Sequence, residues 1–201
     1  MIHIKNATLV NEGQTLPATD IFIDSTTGLI QSIVTTAAEL PFDNSDVTII
    51  QTIDATGKVV IPGVIDTHVH FREPGLTQKA DMRTESMAAV YGGTTTIFDM
   101  PNTLPQATDQ QSLEQKFELA SEKCLVNYSF YMGLSDTNLE TEVMSIDERT
   151  VCGLKVFMCH STGNMKVDEP VLDQLFSRYR GMICTHCEDE CVVNRNVQVI
   201  K

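Results

Sequence analysis

Apolar and polar positions change rhythm once along this chain. Over residues 1–58 the apolar positions fall in short β-rich runs: Ile2-His3-Ile4, Asp20-Ile21-Phe22-Ile23 and Leu29-Ile30-Gln31-Ser32-Ile33-Val34. Asn11-Glu12-Gly13 and Thr26-Thr27-Gly28 supply turn chemistry between them. A polar, proline-containing loop from Ala37 to Asp46 follows, then Thr48-Ile49-Ile50 and a turn at Ala55-Thr56-Gly57. This pattern predicts a small all-β, sandwich-like domain over 1–58, with His3 a surface strand residue.

From Val59 the rhythm becomes strand, loop, helix, repeated. The apolar run Val59-Val60-Ile61-Pro62-Gly63-Val64-Ile65 opens a buried strand that reads on through Asp66-Thr67-His68-Val69-His70. A helix over about Lys79–Tyr91 is closed by Gly92-Gly93. Thr94–Met100, Asn127–Tyr131, Gly153–Met158 and Gly181–His186 read as four further strands. Thr108 and Gln111 form a capping-box pattern before a helix with a Leu113, Phe117, Ala120 stripe. Thr137 and Glu140 suggest another short helix, and Asp168 caps one bearing Val171, Leu172, Leu175, Phe176 and Tyr179. Strands alternating with helices predict a parallel sheet with right-handed crossovers. The polar residues at the strand ends point to a (β/α)₈ barrel over 59–201, of which about five βα units are present. Such a barrel takes roughly 250 residues, so the chain reads as the front part of a larger protein.

Charge and cysteine usage narrow the function classes. Against 14 basic residues stand 27 acidic ones, a net charge of −13. With no basic cluster, that argues against nucleic acid and anionic membrane surfaces as partners. No apolar run approaches the roughly 20 residues of a membrane span, and the N-terminus does not open like a signal peptide. The six cysteines lie in the second half without framework spacing, so they read as reduced thiols in a cytoplasmic protein. Cys184-x-x-Cys187 has no second pair at zinc-knuckle spacing, and positions three apart on a strand face opposite sides.

The candidate chemistry gathers at the strand ends. Side chains alternate along a strand, so His68 and His70 share a face, as two imidazoles for a divalent metal would. Asp66 has the same parity and is a candidate supporting partner. Lys155 lies inside the apolar run Leu154–Met158, where an unpaired ammonium is costly. It is paired with an acid, or extends to the strand end, or, as the stronger reading, has taken up carbon dioxide as a carbamate, a carboxylate able to bridge two metals. His186 taken alone reads as a core histidine; on the same rim as His68 and His70 it is better read as a ligand. Arg72 and Asn102 complete the rim.

With these residues in view, the chain resembles the cyclic amidohydrolases, and within them the dihydroorotase family most closely. The resemblance spans essentially the whole chain. Its carriers are Pro62–Gly75, Met100-Pro101-Asn102-Thr103, Gly153–Met158 and His186-Cys187-Glu188-Asp189. It implies a hydrolase with two divalent metal ions, usually zinc, that interconverts dihydroorotate and N-carbamoyl-L-aspartate in pyrimidine synthesis. On that pattern His68 and His70 hold one metal, carboxylated Lys155 bridges both, and His186 binds the second. Arg72 and Asn102 grip the substrate's carboxylate, and a homodimer is the suggested assembly.

The resemblance has limits. The family's general acid-base aspartate and a further metal-binding histidine come from strands beyond the fifth, so no catalytic acid-base falls within these residues. Cys159-His160 stand where relatives tend to carry small residues, and His160 is read as a loop residue. Some relatives carry an aspartate in place of the bridging lysine. Allantoinase and hydantoinase are the nearest rivals, and Arg72 argues against both, because uncharged rings have less use for it. A metal-free scaffold is a third reading, disfavoured by the full set of His68, His70, Lys155 and His186. Five barrel strands with two open edges also predict that residues 1–201 alone are inactive and poorly folded.

Overall fold

The computed structural model describes residues 1–35, 48–160 and 165–200. The polar loop expected over Ala37–Asp46, and Ser161–Asn164, lie outside the described residues. The chain forms two compact units, Met1–Pro62 and Gly63–Lys201.

The first unit is a mixed sheet. β1 (Ile2–Asn11) and β2 (Gln14–Ile23) are antiparallel neighbours joined at Glu12-Gly13. Both turn residues have positive φ, 49° and 74°. That twist matches the flanking strands, and glycine adopts it without a Cβ penalty. β3 (Ile30–Val34) adds to β2, while β4 (Gln51–Asp54) and β5 (Val59–Val60) both run parallel to β1. Ala7, Leu9, Ile21 and Phe22 form its buried face. His3 is not a bare surface residue: its ring stacks on Phe22 at 4.4 Å and its Nε2 lies 2.9 Å from Asp20 Oδ2.

Val59–Ile65 therefore does not form one strand. Val59 and Val60 pair with β1, and Pro62-Gly63 breaks the run before β6 (Val64–Val69) begins. Proline has no N–H to donate to a ladder. A Cβ at Gly63 would stand 2.1 Å from Thr95 Oγ1, so only glycine lets the chain pass there.

The second unit alternates strand and helix. After β6 come α1 (Met82–Tyr91), β7 (Thr94–Asp99), α2 (Gln110–Lys123), β8 (Asn127–Gly133), β9 (Gly153–Phe157), α3 (Glu169–Arg178), β10 (Ile183–His186) and α4 (Glu190–Ile200). The five strands run parallel in the order β10-β9-β8-β7-β6, each beside its predecessor in sequence. That is the strand arrangement of a (β/α) barrel. Among the described residues, no helix is long and apolar enough to cross a membrane.

Local caps explain where the helices begin, and three differ from expectation. α1 starts at Met82 rather than near Lys79, because the Asp81 carboxylate accepts the Thr84 N–H at 2.8 Å. α2 is capped one residue later than expected, by Asp109, which accepts from Ser112 N at 2.7 Å. The helix expected after Thr137 is only a 3₁₀ turn, Val143–Ser145. Asn138 accounts for this: its amide donates to Thr108 O and Gly133 O and accepts from Ser135 N. It holds the segment as a turn, a local alternative to helix.

Leu113 and Ala120 of α2, Leu172 and Leu175 of α3, and Tyr179 just past its end, pack with Ile97, Phe130, Met132, Leu154 and Val156 of the sheet. Each such Leu contributes about 1.5–3 kcal/mol by leaving water. Phe117 meets Phe130 edge-on at 4.8 Å, while Phe176 stays exposed.

Candidate metal centre at the strand ends

β6 delivers His68 and, just past its end, His70; their ring centroids are 5.4 Å apart. His70 Nδ1 lies 2.9 Å from Asn102 Oδ1. An amide oxygen only accepts, so Nδ1 carries the proton and the Nε2 lone pair is left free to ligate. Asn102 keeps its NH₂ as a donor. Asp66 does not hold an imidazole: its carboxylate accepts the His68 backbone N–H at 3.1 Å.

Electrostatics favours both imidazoles in the neutral, ligating form. Burial, then the Lys155 ammonium and His186, hold His68 below the ordinary histidine value, against Asp66. Burial first, then Arg72, lower His70 as well. These couplings also tie the rim together, since His68 senses β9 and β10, and His70 senses the loop after β6.

Lys155 lies in the fully buried strand β9, 2% exposed. Its Nζ approaches Cys184 Sγ at 3.9 Å and the Phe157 ring centroid at 5.1 Å. No carboxylate pairs with it among the described residues. His186 ends β10 in register with Phe157, and its side chain is 39% exposed. Arg72 follows His70 with φ of 67°, the left-handed region that a bulky residue occupies only under constraint. Its guanidinium makes no ion pair among the described residues. His160 instead turns to Glu190, which also pairs with Lys166 at 2.7 Å.

Sequence reasoning missed the ion pair behind this rim. Lys116 Nζ lies 2.7 Å from Asp99 Oδ2 and 2.9 Å from Met100 O, with both side chains 1% exposed. Asp99 Oδ1 accepts the Phe71 N–H at 2.8 Å, and Met100 N donates to Val69 O. The pair thus ties the segment bearing His70 and Arg72 to the one bearing Asn102. Burial pulls Lys116 below the ordinary lysine value, and Asp99 opposes it. The signal in the sequence is Lys116 on the Leu113, Phe117, Ala120 stripe, where a charge has no place without a buried partner.

Tyr131 is a second such tie, donating from β8 to Thr67 O at 3.0 Å. Burial pushes its phenol up to about 12. A raised phenol pKa favours the folded state up to the ordinary value near 10 and withdraws that stability as pH rises from about 10 towards 12. Alkaline absorbance titration should show a tyrosinate step near 12 that disappears in Tyr131→Phe; a titration unchanged by that substitution would contradict the burial argument.

The donor set fits a divalent cation: two neutral-favoured imidazoles, a third at β10, and a buried amine without an acid partner among the described residues. A profile of the Dihydro-orotase-like family matches residues 57–198. The chain belongs to that family. It is 35% identical over 192 residues to the dihydroorotase of Methanosarcina acetivorans, covering 94% of this chain and 39% of that protein. An allantoinase of Desulfitobacterium hafniense is 41% identical over 133 residues, 64% of this chain and 28% of its own length. Among solved structures, the L-hydantoinase (dihydropyrimidinase) of Arthrobacter aurescens superposes with a TM-score of 0.85 at 29% identity. The superposition covers 99% of this chain and 43% of that one. The dihydro-orotase-like fold is thus shared with enzymes named for hydrolysing cyclic amides, and the chain spans about two fifths of the length of the dihydroorotase and the L-hydantoinase, and less of the allantoinase.

Proposed function

We propose that the protein carrying this chain is a dihydroorotase, hydrolysing the ring amide of dihydroorotate reversibly to N-carbamoyl-L-aspartate in pyrimidine synthesis. The observation that carries the choice is Arg72. It is a half-buried guanidinium without a carboxylate partner among the described residues, beside His70 and one loop from Asn102. An Arg fork matches a carboxylate at two points, and the Asn102 NH₂ adds a neutral donor.

His68, His70, Lys155 and His186 would hold two divalent ions, zinc being the natural fit to nitrogen-rich ligation. When bound, such a pair makes water more acidic and polarises a carbonyl. Lys155 would join as a carbamate: its ammonium gives up one proton, the neutral amine adds carbon dioxide and releases a second, and the buried cation becomes an anion. Asn102 keeps His70 in the ligating tautomer, while Arg72 orients the ring by its carboxylate. A small-molecule substrate, a cytoplasmic setting suited to free thiols near the site, and a homodimer go with this reading.

Allantoinase or hydantoinase activity is the second reading, supported by the relatives of those names. Turnover of the three substrates by the full-length protein separates them. Dihydroorotate should be preferred, and Arg72→Ala should lower kcat/KM for it about a hundredfold, near 2.7 kcal/mol. Preference for allantoin or hydantoin, or an indifferent Arg72→Ala, would reject dihydroorotase. Metal content near two ions per chain separates the enzyme from a scaffold.

A further inference from the structure

We infer that the chain carries a second cation site, in which Cys159, His186 and Glu188 seat one divalent ion of the zinc class. β9 and β10 are neighbours, with Phe157 in register with His186. The segments leaving them run side by side, so Cys159 meets Glu188. Cys159 Sγ is 3.7 Å from Glu188 Oε2, and Glu188 Oε1 is 3.7 Å from His186 Nε2. One donor atom from each residue can be chosen so that all lie within 4.8 Å of one another. A tetrahedral ion with bonds of about 2.0–2.3 Å sets its ligands about 3.3–3.8 Å apart, so the three donors need side-chain adjustments of about an ångström to close around it.

Cys159 is 3% exposed, which shields a metal–sulfur bond from water, while His186 and Glu188 open an entry path from solvent. Sulfur, imidazole and carboxylate together select a borderline-soft ion; magnesium and calcium prefer oxygen alone. On binding, the Cys159 S–H proton passes to solvent as the sulfur–metal bond forms. The site does not depend on the proposed activity. Its consequence does: His186 is common to both ligand sets, so an ion seated with Cys159 withdraws it from His68, His70 and Lys155, and excess zinc-class metal inhibits turnover.

The test is titration of the metal-stripped full-length protein with Cd²⁺, followed by the ultraviolet thiolate-to-metal charge-transfer band. The band should appear in the parent protein and in His68→Asn/His70→Asn, and disappear in Cys159→Ser. It should persist when Cys184, Cys187 and Cys191 are all changed to Ser. Glu188→Gln, at an exposed carboxylate with little bearing on folding, should weaken Cd²⁺ binding at this band about tenfold. No band in the parent, a band surviving Cys159→Ser, or an unchanged affinity in Glu188→Gln overturns the site. If Cys159→Ser fails to fold, Glu188→Gln alone decides.

Discussion

Lys116→Ala should lower the unfolding free energy of the full-length protein by about 3–5 kcal/mol. The Lys116 and Asp99 side chains are each 1% exposed and lie 2.7 Å apart. Removing the ammonium leaves the Asp99 carboxylate buried, with the Phe71 N–H as its remaining hydrogen-bond donor among the described residues, and releases Met100 O. Lys116→Met with Asp99→Asn, which removes both charges and keeps the volume, should recover most of the loss. Urea unfolding checks this through a lower midpoint at unchanged slope. A loss under about 1 kcal/mol in Lys116→Ala would mean that the pair is not desolvated as described. Metal affinity should fall alongside stability, because Phe71 links His70 to Arg72.

Lys155→Met should show the opposite signature. Lys155 is equally enclosed, yet its neighbours are a thiol at 3.9 Å and an aromatic ring rather than an acid. An ammonium so placed contributes little to holding the apo protein together. Methionine, of similar length, should therefore leave apo stability unchanged or raise it. Turnover should nevertheless drop by about 10³-fold or more, and bound metal should fall. A Lys155→Met protein that keeps its turnover would end the proposed role of this lysine. One that unfolds would show that Lys155 is structural. Together the two lysines make a controlled pair: on the proposed reading Lys116 acts through its buried partner on stability, and Lys155 on turnover.

The order of elements was legible because the strands of the second unit carry compact apolar signatures, two of them closing on a polar residue, Asp99 and His186. His68, His70 and His186 stood out at strand ends and Lys155 as a charge within an apolar run; His68 lies near the end of β6, His70 just past it, His186 at the end of β10 and Lys155 in the middle of β9. Lys116 did not stand out, because a lysine within a helix reads as solvent-facing until its buried partner, seventeen residues earlier, is seen. α4 was missed as well, although Val193 and Val197, and Val192 and Val199, recur at helical spacing; these valines are exposed. The caps slipped because Asp109 and Asn138 compete for backbone groups against equally plausible threonines beside them. Only the local geometry decides such contests.

The neighbour-by-neighbour strand order bears on synthesis at the ribosome. Each strand from β6 to β10 pairs with the one emerging just before it. A nascent chain can therefore lay down this sheet from one side to the other, closing only the loop of a single crossover at each step. The first unit is different: β1 must wait for β4 and β5, which emerge some fifty residues later, to complete its second edge. The proposed metal-binding rim would then be written in the order of translation, histidine pair first, lysine next and His186 last.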